Sequence, residues 1–168
     1  MIVVVMGVAG AGKSLIGAKL AERLGVPFLE GDAYHPAENV AKMRSGIALE
    51  DADRWPWLDA LGRDAAKRGR CVLACSALKE SHRAALRKHV PGAMFVHLHG
   101  RAEVIAERLA ARRGHYMPAA LLESQLAILE APRDAIVVDV EGTPQAILDR
   151  VTDELTKREV FSGAAARS

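Results

Sequence analysis

The chain has 168 residues, half of them apolar and about a quarter charged, with a formal net charge of only +2. This is globular composition of a length that suits one domain with its own core. No run of Lys and Arg forms the concentrated basic face expected of a nucleic-acid protein. Cys71 and Cys75, four apart on one strand face, are too far apart along the chain for a disulfide and read as buried thiols in a reducing compartment. The apolar opening MIVVVMG lacks a basic flank and is far shorter than a membrane span, so a cytoplasmic protein with no membrane partner is expected.

Residues 2–6 are a continuous β-branched run, as in a strand buried on both faces. Apolar residues at helical spacing over 14–25 predict a helix that stops at Gly25. PFLEGD (27–32) predicts a short strand, and helical pieces follow around 37–45 and 55–68, the second with Pro56 in its first turn. Further strands are predicted over 70–76, 93–100 and 134–142. Helices are predicted over 79–90, 102–114, 118–132 and 143–158. Strands alternating with helices imply an α/β domain, a parallel sheet covered on both sides. Residues 1–158 read as a single domain without linker or repeat, and 159–168 as a frayed tail.

GVAGAGKS (7–14) matches G-x-x-x-x-G-K-[ST] in full, between a buried strand and a helix. Glycines let such a loop turn its N–H groups toward phosphate oxygens, and the following helix adds its positive end. Gly7, Val8, Ala9, Gly10, Ala11, Gly12, Lys13, Ser14 and Leu15 are therefore candidate contacts to a nucleoside triphosphate. Lys13 would reach the β- and γ-phosphates, and Ser14 would bind Mg²⁺. The chain has no N-K-x-D guanine signature, which argues against a GTPase. Its third strand, CVLACS, also lacks the terminal aspartate that usually serves the metal. That work shifts to another carboxylate, and Asp32, at the carboxyl end of the second strand, is the candidate for both base and metal ligand. The alternative for Asp32 is a cap of the turn that follows it.

GDAYHPAENVAKMRSGIALEDADRWPWL, CSALKESHRAALR, RLAARRGHY and LLESQLAILEAP together resemble the small gluconokinases, over most of the chain. The phosphate loop is common to many families, whereas the blocks GD–HP–N–KM and CSALK are far more specific. The resemblance implies a three-layer P-loop kinase fold with five parallel strands, similar to nucleoside-monophosphate kinases, with a substrate flap and a lid at about 108–118. It also implies phosphorylation of D-gluconate at its 6-hydroxyl by ATP with Mg²⁺, giving a 6-phosphosugar acid for carbohydrate catabolism. A homodimer is a further expectation.

Carried over by resemblance, Asp32 is the base, His35 lies in the substrate pocket, and Lys42 and Arg54 are candidate cations for the gluconate carboxylate. Ser76, Lys79 and Arg83 would face the same pocket. The alternatives are a solvated lysine at 42 and a structural ion pair at 54. Trp55 and Trp57 read as packing. One departure is His82, where the family pattern usually has Tyr. In the lid, Arg108 and Arg112 share a helix face and would stabilise the transferring phosphoryl group, with Arg113 beside them. A solvated basic helix end is the alternative. His97 and His99 share a strand face without a third metal ligand in sequence. A shikimate or nucleotide kinase, or a silent nucleotide-binding module, remains the competing reading.

Overall fold

The computed structural model describes residues 1–111 and 119–165. Five strands, β1 (Ile2–Met6), β2 (Phe28–Glu30), β3 (Cys71–Ala74), β4 (Met94–His99) and β5 (Ile136–Asp139), form one parallel sheet in the order β2-β3-β1-β4-β5. The described helices are α1 (Lys13–Leu24), α2 (Ala37–Arg44), α3 (Asp51–Arg68), α4 (Glu80–His89), α5 (Ala102–Ala111), α6 (Ala119–Ile128) and α7 (Pro144–Ala165). None is long and apolar enough to cross a membrane.

Alternate residues of central β1 enter two different cores, which is why its apolar run does not alternate with polar residues. Val3 and Val5 pack with Ile16 and Leu20 of α1 and with Ile147 and Val151 of α7. Val4 and Met6 face Trp57, Leu58 and Leu61 of α3 and Leu86 of α4. The free thiols Cys71 and Cys75 both belong to this second core, and burial pushes the Cys75 thiol up to about 12.

From β1 the chain builds β2 and β3 on one side and β4 and β5 on the other. The carboxyl ends of β1 and its neighbours therefore border a crevice, the usual ligand position in open parallel sheets.

Two boundaries differ from the sequence pattern. α3 begins at Asp51, so Pro56 sits inside the helix rather than in its first turn. The start is set by Asp53, whose carboxylate accepts the Glu50 N–H at 2.9 Å. α7 runs on past Arg158 to Ala165, so the segment read as a frayed tail begins as helix.

Candidate active site

The phosphate loop runs from the end of β1 into α1. At Gly7, φ is +144°, and an added Cβ would stand 2.7 Å from the Leu98 carbonyl oxygen, so only glycine fits. Gly12 takes a left-handed conformation immediately before α1, whose first turn carries no acidic residue. The positive end of the helix is thus left for an anion. Lys13 Nζ lies 3.1 Å from the Val8 carbonyl oxygen, folded back over the loop.

The loop opens into a cavity of about 590 Å³. Ala9, Gly10, Gly12, Lys13, Ser14 and Leu15 line one end of it. Gly7, Val8 and Ala11 do not; the side chains of Val8 and Ala11 turn into the core instead. The same cavity takes in Asp32, His35, Arg54, Trp57 and Ser76. Walls come from Met43, Ala48 and Leu49, and from Leu121, Ser124 and Gln125 of α6.

Asp32 owes its place to Gly31. There the chain passes so close to β3 that a Cβ would fall 2.1 Å from the Ala74 carbonyl oxygen. The backbone bends into a 3₁₀ turn, Gly31–Tyr34, and the Trp57 indole N–H donates to the Gly31 carbonyl at 2.7 Å. Asp32 is left exposed at the crevice. Trp57 is buried packing, as expected, but it is also a wall of the pocket: its ring stacks on His35 with centroids 4.1 Å apart.

His35 is oriented by Asn39. The Asn39 nitrogen donates to the Asp53 carbonyl at 2.8 Å and lies 3.2 Å from His35 Nδ1. A carbonyl only accepts, so the atom between these two partners is the amide nitrogen. Nδ1 therefore presents its lone pair, and the ring proton resides on Nε2. Burial lowers the His35 pKa, Arg54 lowers it further, and Asp32 opposes the shift. A neutral ring with an Nε2–H donor is the state at neutral pH.

Arg54 is only 5 % exposed yet lines the cavity, donating to the Leu49 carbonyl at 3.2 Å. It makes no ion pair among the described residues; burial lowers its pKa, while Asp51 and Asp53 act against that. A guanidinium stays charged even so, and a buried cation opening onto a cavity is a site for a carboxylate.

Three other predicted contacts are placed elsewhere. Lys42 Nζ is bound to both carboxylate oxygens of Asp53, at 2.8 and 2.9 Å, and ties α2 to α3. Lys79 Nζ binds Asp51 at 2.8 Å. Arg83, 1 % exposed, donates to the carbonyls of Ala77 and Leu78 and to Glu80. It braces the turn after β3, where Ala77 has φ +42°. None of the three lines the cavity. His82, which stands where the family pattern usually has Tyr, is fully buried: its Nδ1 accepts the Lys79 N–H and its Nε2 lies 3.0 Å from Asp51. Arg108 donates to the carbonyls of Val140 and Gly142, also away from the cavity. Arg112 and Arg113, and most of the expected lid, lie outside the described residues.

Sequence reasoning missed Ser124 and Gln125. The available signal was the polar run Glu123, Ser124 and Gln125 within the otherwise apolar AALLESQLAI of α6. His97 and His99 stand edge to face at 5.7 Å.

A phosphate loop and a separate polar pocket sharing one cavity, on a five-stranded parallel sheet, define a P-loop kinase fold. A family model for shikimate kinase matches residues 9–156. The Aquifex aeolicus shikimate kinase structure has a TM-score of 0.65 at 19% identity, covering 95% of this chain and 99% of that one, a likeness of fold alone. The gluconokinase of Gluconobacter oxydans is 49% identical over 156 residues, 88% of this chain and 87% of that protein. A gluconokinase structure from Sinorhizobium meliloti superposes with a TM-score of 0.87 at 47% identity, covering 95% of each chain. The chain belongs to the gluconokinase family.

Proposed function

We propose that this protein transfers the γ-phosphoryl group of ATP to the 6-hydroxyl of D-gluconate, giving 6-phospho-D-gluconate and ADP. The observation that carries the reading is the single cavity joining the phosphate loop to Asp32, His35, Arg54 and Ser76. The family relationship favours gluconate over shikimate as acceptor.

In this reading Arg54 holds the gluconate carboxylate. The Nε2–H of His35 and the Ser76 hydroxyl meet the polyol hydroxyls, and Asp32 takes the proton of the attacking alcohol. Lys13 and the loop N–H groups hold the phosphates. Ser14 and Asp32 are exposed oxygen donors on the same cavity, a hard set that suits Mg²⁺. When bound, the ion neutralises phosphate charge. Arg112 is proposed to meet the transferring phosphoryl group from a lid at about 108–118, within a single kinase domain over 1–158. ATP dependence and two buried free thiols support a cytoplasmic location, and a homodimer is the proposed assembly.

The test is a panel of acceptors incubated with ATP, Mg²⁺ and the purified protein, with products identified by mass spectrometry. Gluconate should give a phosphorylated product and stoichiometric ADP. Phosphorylation of shikimate or a nucleotide with none of gluconate would overturn the assignment.

A further inference from the structure

One hydrogen bond joins the phosphate loop to a helix far along the chain: the Ala9 N–H donates to Gln125 Oε1 at 2.7 Å. A backbone N–H accepts nothing, so this contact fixes the facing of the carboxamide, oxygen to the loop and nitrogen away from it. The Gln125 nitrogen has no hydrogen-bond partner among the described residues. It is not sealed in the interior either, because no buried side-chain nitrogen or oxygen there lacks a partner. Gln125 lines the cavity together with Ala9 and Gly10. Among the described residues its N–H groups are thus left without a partner, on a side chain that lines the cavity at the phosphate-loop end.

We propose that Gln125 is a further catalytic residue: its carboxamide nitrogen donates to an oxygen of the phosphoryl group in transit, while Ala9 holds its oxygen in place. The anchor favours the phosphoryl group over the sugar acid, since Ala9 belongs to the phosphate loop. A donor already oriented before the reaction needs no reorganisation as charge shifts onto the phosphoryl oxygens. The Ala9 contact also makes the catalytic amide part of the nucleotide site, although it is carried by α6.

This inference rests on the kinase reading, and Gln125→Glu against Gln125→Met tests it. Glu keeps an acceptor for the Ala9 N–H but replaces the donor with a negatively charged oxygen. Met keeps the length and removes both functions. A residue that merely satisfied Ala9 would tolerate Glu and suffer from Met. On the proposal the order inverts: Glu lowers kcat by about 10²–10³-fold and Met by less, with KM for the sugar acid little changed. The second readout needs no acceptor. Calorimetric affinities should show ATP binding weakened about tenfold by Glu, with ADP binding unaltered. Wild-type protein inert toward gluconate would count against the proposed substrate alone, because the ATP-to-ADP comparison stands without it. Wild-type kcat in the Glu variant, or equal weakening of ATP and ADP, overturns the role of Gln125. Should the Glu variant not fold, the Met variant decides: a reduced preference for ATP over ADP supports the role, and an unchanged one overturns it.

Discussion

The side-chain nitrogen of Asn39 stands 3.2 Å from Nδ1 of His35 and, donating also to the Asp53 carbonyl, dictates that the histidine proton lies on Nε2. The pair makes a pocket histidine into a donor of fixed direction. Losing that direction costs one hydrogen bond to substrate. Asn39→Leu is therefore expected to raise KM for gluconate about three- to tenfold with kcat near wild type. His35→Gln, whose amide nitrogen reaches the Nε2 position, should retain more affinity than His35→Asn, which reaches only Nδ1. Equal losses in the two, measured by steady-state kinetics, would reduce His35 to a packing partner of Trp57.

Arg54 is the buried cation of the pocket, and a charged hydrogen bond in a partly dehydrated site is worth more than a neutral one. Arg54→Gln should raise KM for gluconate by roughly 10–100-fold. Arg54→Lys should rescue it only in part, since an ammonium cannot grip a carboxylate in a fork. The charge-specific readout is discrimination: preference for gluconate over the uncharged polyol sorbitol should collapse in Arg54→Gln. If that preference survives, the carboxylate is held elsewhere.

Asp32 lies exposed in the turn after β2, facing the cavity that holds Lys13 and Ser14. Asp32→Asn keeps the shape and cannot take the proton of the alcohol. A kcat lowered by about 10²–10⁴-fold, with ATP affinity little changed, is the expected result. Rapid-quench and binding measurements on the variant check both halves. An unaltered kcat would leave Asp32 as a residue of the turn.

Arg83 makes the opposite prediction. Its guanidinium is spent on the carbonyls of Ala77 and Leu78; Leu78 also accepts the Glu130 N–H, so Arg83→Met leaves the buried Ala77 carbonyl unmet and takes one of two donors from Leu78. The cost is about 2 kcal/mol, which for a chain of this size lowers Tm by roughly 4–8 °C. KM for gluconate at a temperature well below the transition should stay within about twofold. Thermal denaturation beside kinetics separates the two; a large KM change with normal Tm would return Arg83 to the substrate pocket.

His97 gives the protein an acid limb. Burial, with His99 and Arg83 adding to it, lowers its pKa from 6.5 to about 4. The unfolded chain takes up the proton first as pH falls. The stabilising contribution of the neutral ring is therefore whole above about pH 6.5 and is lost on descending to about pH 4. It amounts to at most roughly 3 kcal/mol. His97→Leu should flatten this part of the stability profile in urea denaturation between those pH values. A wild-type slope in the variant would assign the acid sensitivity to other groups.

The turn of the phosphate loop was legible in the amino-acid order, because its geometry is local. Gly7 to Ser14 are consecutive, and glycine conformation with a helix start gives the loop its turn and its positive end. The strand and helix alternation, and with it the parallel sheet, followed from apolar periodicity for the same reason. Asp32 was legible because the end of a strand is a position countable along the chain. The basic residues were not, since a long cation on a helix is directed by whichever carboxylate or carbonyl the fold brings near. Lys42 found Asp53, Lys79 found Asp51, and Arg83 turned into its own loop, while Arg54 alone of the four opened onto the cavity. Gln125 meets Ala9 across 116 positions of sequence. Periodicity places Gln125 on a helix, but only the packing of α6 beside the phosphate loop brings its amide to a backbone N–H.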